Sequence, residues 1–236
     1  PGKKYYGPGE PVLWELKLLG DSADHGFFLG TVLPAMEEAG SMSEPQWRRE
    51  HGLWGHFDIH AIYAARGPRW EPFVRDGRLD VQYRPSPDQW ADGLPFSTRQ
   101  ERIFDSLTWL TPFDLGDGKQ GRKITPAQVP TLYSILQALI ARMSQLLPGK
   151  HHAPDDVWQV LDAETRATFE AVAEQAKRIP IHHATFKAPP KPWPGRWIGS
   201  QSFPSIPHPL IPYLELASIL HIGKQTHFGC GTFTIG

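Results

Sequence analysis

Apolar positions alternate over Val12, Trp14, Leu16 and Leu18, which predicts a strand ended by Gly20-Asp21. Leu29, Val32, Leu33 and Met36 then fall at helical spacing, with Asp24 as a cap and Gly40 as a stop. Alternation returns at Phe57, Ile59, Ala61 and Tyr63, a second strand. Asp76-Gly77, between Phe73-Val74 and Leu79-Val81, reads as a hairpin turn. Residues 84–98, with Pro85, Pro87, Gly93 and Pro95, read as a connector.

Beyond it, Ile103 to Leu110 predicts a strand stopped at Pro112. Thr125-Pro126 opens a predicted helix, a hydroxyl cap followed by proline at the first helical position. Its apolar stripe is Val129, Leu132, Leu136, Leu139, Ile140, Met143 and Leu147, and Pro148-Gly149 ends it. A second helix spans Asp155 to Arg178, acidic at its start and basic at its end, as the helix dipole favours. Strands follow at 181–186 and 197–203, separated by the proline-rich connector 188–195. A short apolar helix covers 210–220, and a last strand covers Thr232–Ile235. The order of elements predicts an α+β chain of two halves, 1–95 and 96–236.

Composition narrows the class. The 236 residues carry 24 Lys+Arg against 25 Asp+Glu, a net charge of −1, which argues against coating nucleic acid by bulk attraction. Charge is uneven, however. The last fifty residues hold Lys187, Lys191, Arg196 and Lys224 against Glu215 alone. Between residues 41 and 102 every basic side chain is arginine, balanced by acids, and Arg48-Arg49 beside Trp47 is the best local cluster for gripping phosphate. The lone cysteine, Cys230, excludes an intramolecular disulfide and fits a reducing compartment. No run approaches the ~20 apolar residues that span a bilayer, so the expected location is the cytoplasm, away from membranes.

The segment from His221 to Gly231 carries the most chemistry. Gly223, Gly229 and Gly231 permit close backbone approach to a ligand, and Lys224, Gln225, Thr226 and His227 add polar groups beside exposed amides. It is neither a Walker loop nor a dinucleotide fingerprint, because the spacings differ. From the residues alone it is either an ordinary glycine-rich turn or an anion-binding loop.

The run Leu214–Ile235, an apolar helix leading into Gly223-Lys224-x-Thr226-x-Phe228-Gly229-x-Gly231 and a strand, resembles the C-terminal glycine-rich loop of the RAMP (repeat-associated mysterious protein) superfamily. More narrowly it resembles the CRISPR-associated endoribonucleases that cut precursor CRISPR RNA. Leu107-Thr-Trp-Leu-Thr-Pro112 before a long helix is similar to that family's strand–Thr-Pro–helix block, and Gly9–Gly40 to a segment late in its first half. The resemblance implies two ferredoxin-like (βαββαβ, RRM-like) halves side by side, the first incomplete or modified. It implies a repeat RNA stem-loop as partner, with other CRISPR effector subunits as further partners, and no metal or other cofactor. The implied reaction is attack of a ribose 2′-hydroxyl on the adjacent phosphorus, giving a 2′,3′-cyclic phosphate and a 5′-hydroxyl.

In the family, the usual catalytic histidine precedes the segment similar to Gly9–Gly40, where only eight residues stand here. No catalytic histidine therefore carries over by position. His227 is the candidate base, with a solvated loop residue as the alternative reading. Gly223, Lys224, Gln225, Thr226, Gly229, Gly231, Arg196, Arg48 and Arg49 are the candidate RNA contacts. The adjacent pairs His151-His152 and His182-His183 point apart on any strand and make poor chelators, so no metal site is expected. Three readings stand: a metal-independent processing endoribonuclease, a RAMP-fold subunit that caps guide RNA without cutting, and an unrelated α+β enzyme binding a phosphorylated small molecule.

Overall fold

The computed structural model describes residues 6–18, 24–41, 56–66, 69–75, 78–79, 103–116, 124–125, 128–149, 152–191 and 193–236. The chain divides into two units, Pro1–Leu94 and Pro95–Gly236. Among the described residues no helix is long and apolar enough to cross a membrane.

In the first unit, the Asp24 carboxylate accepts from the Phe27 amide at 2.7 Å and starts α1 (His25–Phe27). A π turn, Phe28–Val32, leads into α2 (Leu33–Ser41). Pro34 has no N–H to give to the turn before it, which suits the widened helix at that point. Gly40, the expected stop, is the penultimate residue of α2. It is buried within α2, where an added Cβ would meet the Phe57 carbonyl at 2.3 Å. The strand expected from Val12 is not formed. Residues 6–18 lie outside any strand and Leu13 is 91% exposed, because alternation yields a strand only where a neighbour completes the ladder. Trp14 instead packs edge-on against Phe57, ring centroids 4.9 Å apart. Strand β1 (Tyr63–Arg66) begins where the second predicted strand was to end, and pairs antiparallel with β2 (Arg69–Pro72). β3 (Val74–Arg75) pairs with β4 (Arg78–Leu79) in a register that leaves two residues between them. The Asp76-Gly77 turn and the 84–98 connector lie outside the described residues.

The second unit runs β5 (Phe104–Trp109), α3 (Leu132–Gln145), α4 (Ala163–Lys177), β6 (His183–Lys187), β7 (Ile198–Ile206), α5 (Ile211–Leu220) and β8 (Phe233–Ile235). The sheet order is β6-β7-β5-β8, with every neighbouring pair antiparallel. β7 thus lies between β5 and β6, the split arrangement of a ferredoxin-like fold, with one extra helix before β6. The chain is α+β, and its described first unit departs from this pattern in carrying two-stranded hairpins.

Two helix starts differ from the sequence expectation. Thr131, not Thr125, caps α3, its hydroxyl accepting from the Ser134 amide at 3.0 Å. Pro130 blocks continuation from Thr125, since its ring excludes the preceding residue from helical geometry. The stretch from Asp155 is a 3₁₀ turn, Asp156–Gln159, separated from α4 by the cap residue Asp162.

One face of the sheet is buried. Leu107, Trp109, Phe203 and Phe233 meet Leu132, Ile135, Leu136 and Leu139 of α3, Phe169 and Val172 of α4, and Leu214 and Ala217 of α5 in a single core. Burying each of the large aliphatic side chains is worth about 1.5–3 kcal/mol. Ser144, fully buried, donates to the Ile140 carbonyl at 3.0 Å and accepts from the Val157 amide at 3.0 Å, joining α3 to the 3₁₀ turn.

Candidate nucleic-acid interface

Helix α5 ends at His221, held at φ 57°. The Leu220 carbonyl there accepts from Arg142 Nε of α3 at 3.0 Å, a cation placed where the helix dipole is negative. Burial lowers the Arg142 pKa from its ordinary value. Ile222, fully buried, then pins the loop, and its amide donates to the Gly231 carbonyl at 3.1 Å to close the neck. The Gly231 amide in turn donates to Pro112 O at 2.9 Å, just beyond β5. Gly231 sits at φ 90°, and a Cβ there would lie 1.9 Å from Ile222 O, so only glycine fits. Lys224 N donates to Asp114 O at 2.9 Å, and Gly223 packs against the same carbonyl. The neck amides therefore serve protein packing.

The apex is different. Gln225 takes the left-handed conformation and opens a 3₁₀ turn, Thr226–Phe228, closed by Phe228 N to Gln225 O at 3.0 Å and Gly229 N to Thr226 O at 2.9 Å. Lys224, Gln225, His227 and Phe228 are exposed. The His227 and Phe228 rings lie 4.1 Å apart at 45°. Gly229 has nothing within 4 Å of a Cβ. The proline-rich connector is tied to this apex, because the Gly195 amide donates to Gln225 Oε1 at 2.5 Å. Arg196 follows with its guanidinium 5.8 Å from the ring centroid of the buried Trp197. Lys224 Nζ reaches Gly116 O at 3.4 Å.

Gly223, Lys224, Gln225, Thr226, His227, Gly229, Gly231 and Arg196 are thus brought to one end of the second unit. Lys187, the last residue of β6, pairs with Ile198 of β7 at that same end. Arg48 and Arg49 lie outside the described residues. Cys230 is buried in the loop neck, and burial pushes its thiol pKa up.

Sequence reasoning missed two features. One is the sheet face opposite the core. The register places Ser106 and Thr108 (β5), Ser200 and Ser202 (β7), Thr185 (β6) and Thr234 (β8) together on it, with His183 and Lys187 along β6. Thr185 and Ser200 touch through their hydroxyls at 3.1 Å. Alternating Ser/Thr opposite apolar positions signals this face in retrospect. The other is a contact role for Phe228, 64% exposed at the loop tip, which the sequence placed in the glycine-rich run but not among the candidate contacts. An isolated aromatic has no periodicity to reveal it.

Solved structures that resemble the chain include a partial Cas6-RT-Cas1–Cas2 complex and a Cas6-RT-Cas1–Cas2 complex. Each shares 17% sequence identity over 58% of this chain at a TM-score of 0.38, and the likeness covers 23% and 14% of their chains. The chain accordingly spans less than a quarter of the length of these neighbours. No curated protein matches it. The family model described as CRISPR-associated endoribonuclease Cas6 matches residues 107–233, more than half of the chain, from within β5 through the glycine loop to the first residue of β8. With β6, β7 and the terminal glycine loop wholly inside that match and β5 and β8 at its edges, the chain belongs to the CRISPR-associated endoribonuclease Cas6 family, the family of CRISPR RNA processing.

Proposed function

We propose that this chain binds the stem-loop of a CRISPR repeat and cuts the precursor RNA at its base without a metal, keeping hold of the product. The observation that supports the reading is the bond from the Gly195 amide to Gln225 Oε1, which ties the loop carrying Lys224 and His227 to the connector carrying Arg196 within the family match. His227 takes the proton from the ribose 2′-hydroxyl upstream of the cut, as an imidazole can near neutral pH. The 2′-oxygen bonds to phosphorus as the bond to the 5′-oxygen breaks. A proton passes to that leaving oxygen, and a 2′,3′-cyclic phosphate and a 5′-hydroxyl remain. Lys224 and Arg196 face the charge that grows on the phosphorane oxygens. The open hydroxyl face of the sheet extends the RNA track, since Ser and Thr suit phosphate and ribose contacts.

Repeat RNA incubated with the protein in EDTA tests this. The expected products carry a cyclic phosphate and a 5′-hydroxyl, and a deoxyribose upstream of the cut abolishes cleavage while sparing binding. His227→Ala slows cleavage and leaves affinity within a few-fold. Tight binding with no cleavage of any repeat RNA would favour instead a subunit that caps guide RNA. Neither binding nor cleavage overturns both.

A further inference from the structure

Phe228 stands outside the hydrophobic core and outside the partly buried residues packed on it, so it contributes little to the fold. Single exposed apolar residues are ordinary. This one differs in how it is mounted. Its turn is closed by two backbone hydrogen bonds, its neighbour Gln225 is bonded to Gly195, and the neck is locked at Ile222 and Gly231. The ring lies against that of His227, centroids 4.1 Å apart at 45°. The loop segment itself carries one charge sign, with Asp114 the acidic residue beside its neck. From His221 to Gly231 there is no acidic residue, while Lys224 and, across the Gly195 link, Arg196 are cationic. Trp193, 43% exposed, lies on the same tied connector. An exposed aromatic on a tied turn that also carries a cation offers what an unpaired nucleobase needs: a flat apolar face for the base and positive charge for its phosphates. Bases inside a stem have both faces occupied by their neighbours, so a flanking or terminal base is the one that can use it.

We propose that Phe228 is a stacking platform for one unpaired base next to the phosphate held at Lys224, so the loop reads the junction between stem and single strand. The proposal rests on the RNA-processing reading above. The test uses the full chain and two RNAs, the repeat stem-loop with its single-stranded flanks and the same stem-loop trimmed to a blunt end. Phe228→Ala should weaken binding of the flanked RNA roughly 5- to 150-fold. It should change the blunt RNA less than about twofold, and it should leave the salt slope of binding as in the wild type. Phe228→Trp should restore affinity, and Phe228→Leu, which keeps apolar bulk without a ring, should not. With 2-aminopurine walked through the flanks, one position should be quenched by the wild type and by Phe228→Trp but not by Phe228→Ala. Wild-type affinity of Phe228→Ala for the flanked RNA, or equal losses on both RNAs, overturns the platform and leaves RNA processing standing. If the wild type binds neither RNA, the processing reading fails and the platform fails with it.

Discussion

The amide of Gly195 and the side-chain oxygen of Gln225, thirty positions apart, are joined at 2.5 Å. The bond fastens the connector before β7 to the loop before β8, and so fixes where Arg196 stands relative to Lys224. Gln225 adopts φ 60° to make it, a conformation that costs a residue with a Cβ roughly 1–2 kcal/mol. Gln225→Ala loses the bond and keeps the strain, whereas Gln225→Gly loses the bond and relieves it. Thermal unfolding should rank wild type above Gln225→Ala, with Gln225→Gly more stable than Gln225→Ala by about 1 kcal/mol. Equal melting of the two variants would show that the left-handed conformation is not held in solution.

Two glycines of the loop should respond oppositely to one added methyl group. Gly231→Ala drives a Cβ to 1.9 Å from the Ile222 carbonyl, inside the neck, and the two chain segments joined there must part. Gly229→Ala meets open space and pays only for its φ of 77°, about 1 kcal/mol. Denaturant melts of both variants decide the matter. Gly231→Ala should unfold several times more readily than Gly229→Ala.

Much of the second unit was legible because its strands bury one face. Leu107 and Trp109 alternate with exposed neighbours, so β5 could be read to within a residue at either end. The apolar stripe of α3 was equally clear, yet its start was misplaced. A Thr-Pro pair signals a cap wherever it occurs, and only the later Pro130 decides that Thr131 does the work. Val12 to Leu18 shows the limit of alternation, because a strand needs a partner that one segment cannot reveal. The glycine loop stood out by spacing alone, but the purpose of its glycines did not. Gly223 and Gly231 meet the backbone of Asp114 and Ile222, partners distant in sequence or hidden by the turn.

Ser144 is buried with three partners, donating to Ile140 O at 3.0 Å and Pro154 O at 3.1 Å and accepting from Val157 N at 3.0 Å. Ser144→Ala removes the acceptor and strands a buried amide, which costs about 1–3 kcal/mol. The amide of Val157 should lose its hydrogen-exchange protection in the variant. If its exchange rate is unchanged, the Ser144 bridge does not hold the 3₁₀ turn.

Cys230 is buried in the loop neck, and burial raises its thiol pKa, so less thiolate exists at any given pH than for a free cysteine. Both effects slow alkylation. Iodoacetamide at pH 8 should leave the native protein unmodified by mass spectrometry over a time in which the urea-unfolded chain reacts fully. Rapid labelling of the native protein would mean that the neck opens readily, contrary to its hydrogen bonds to Pro112 and Gly231.

Lys224 is the cation most firmly placed by the loop, since its own amide is bonded to Asp114 and its ammonium reaches Gly116 O. If it neutralises one phosphate of bound RNA, Lys224→Ala must release one fewer counterion on binding. The slope of log affinity against log salt should then shrink by about 0.7–0.9. Lys224→Arg keeps the charge and should keep the slope. The affinity loss in Lys224→Ala should be largest at low salt and fade toward high salt, because screening removes the same contribution from the wild type. A uniform loss at every salt concentration would instead assign Lys224 to holding the loop's shape.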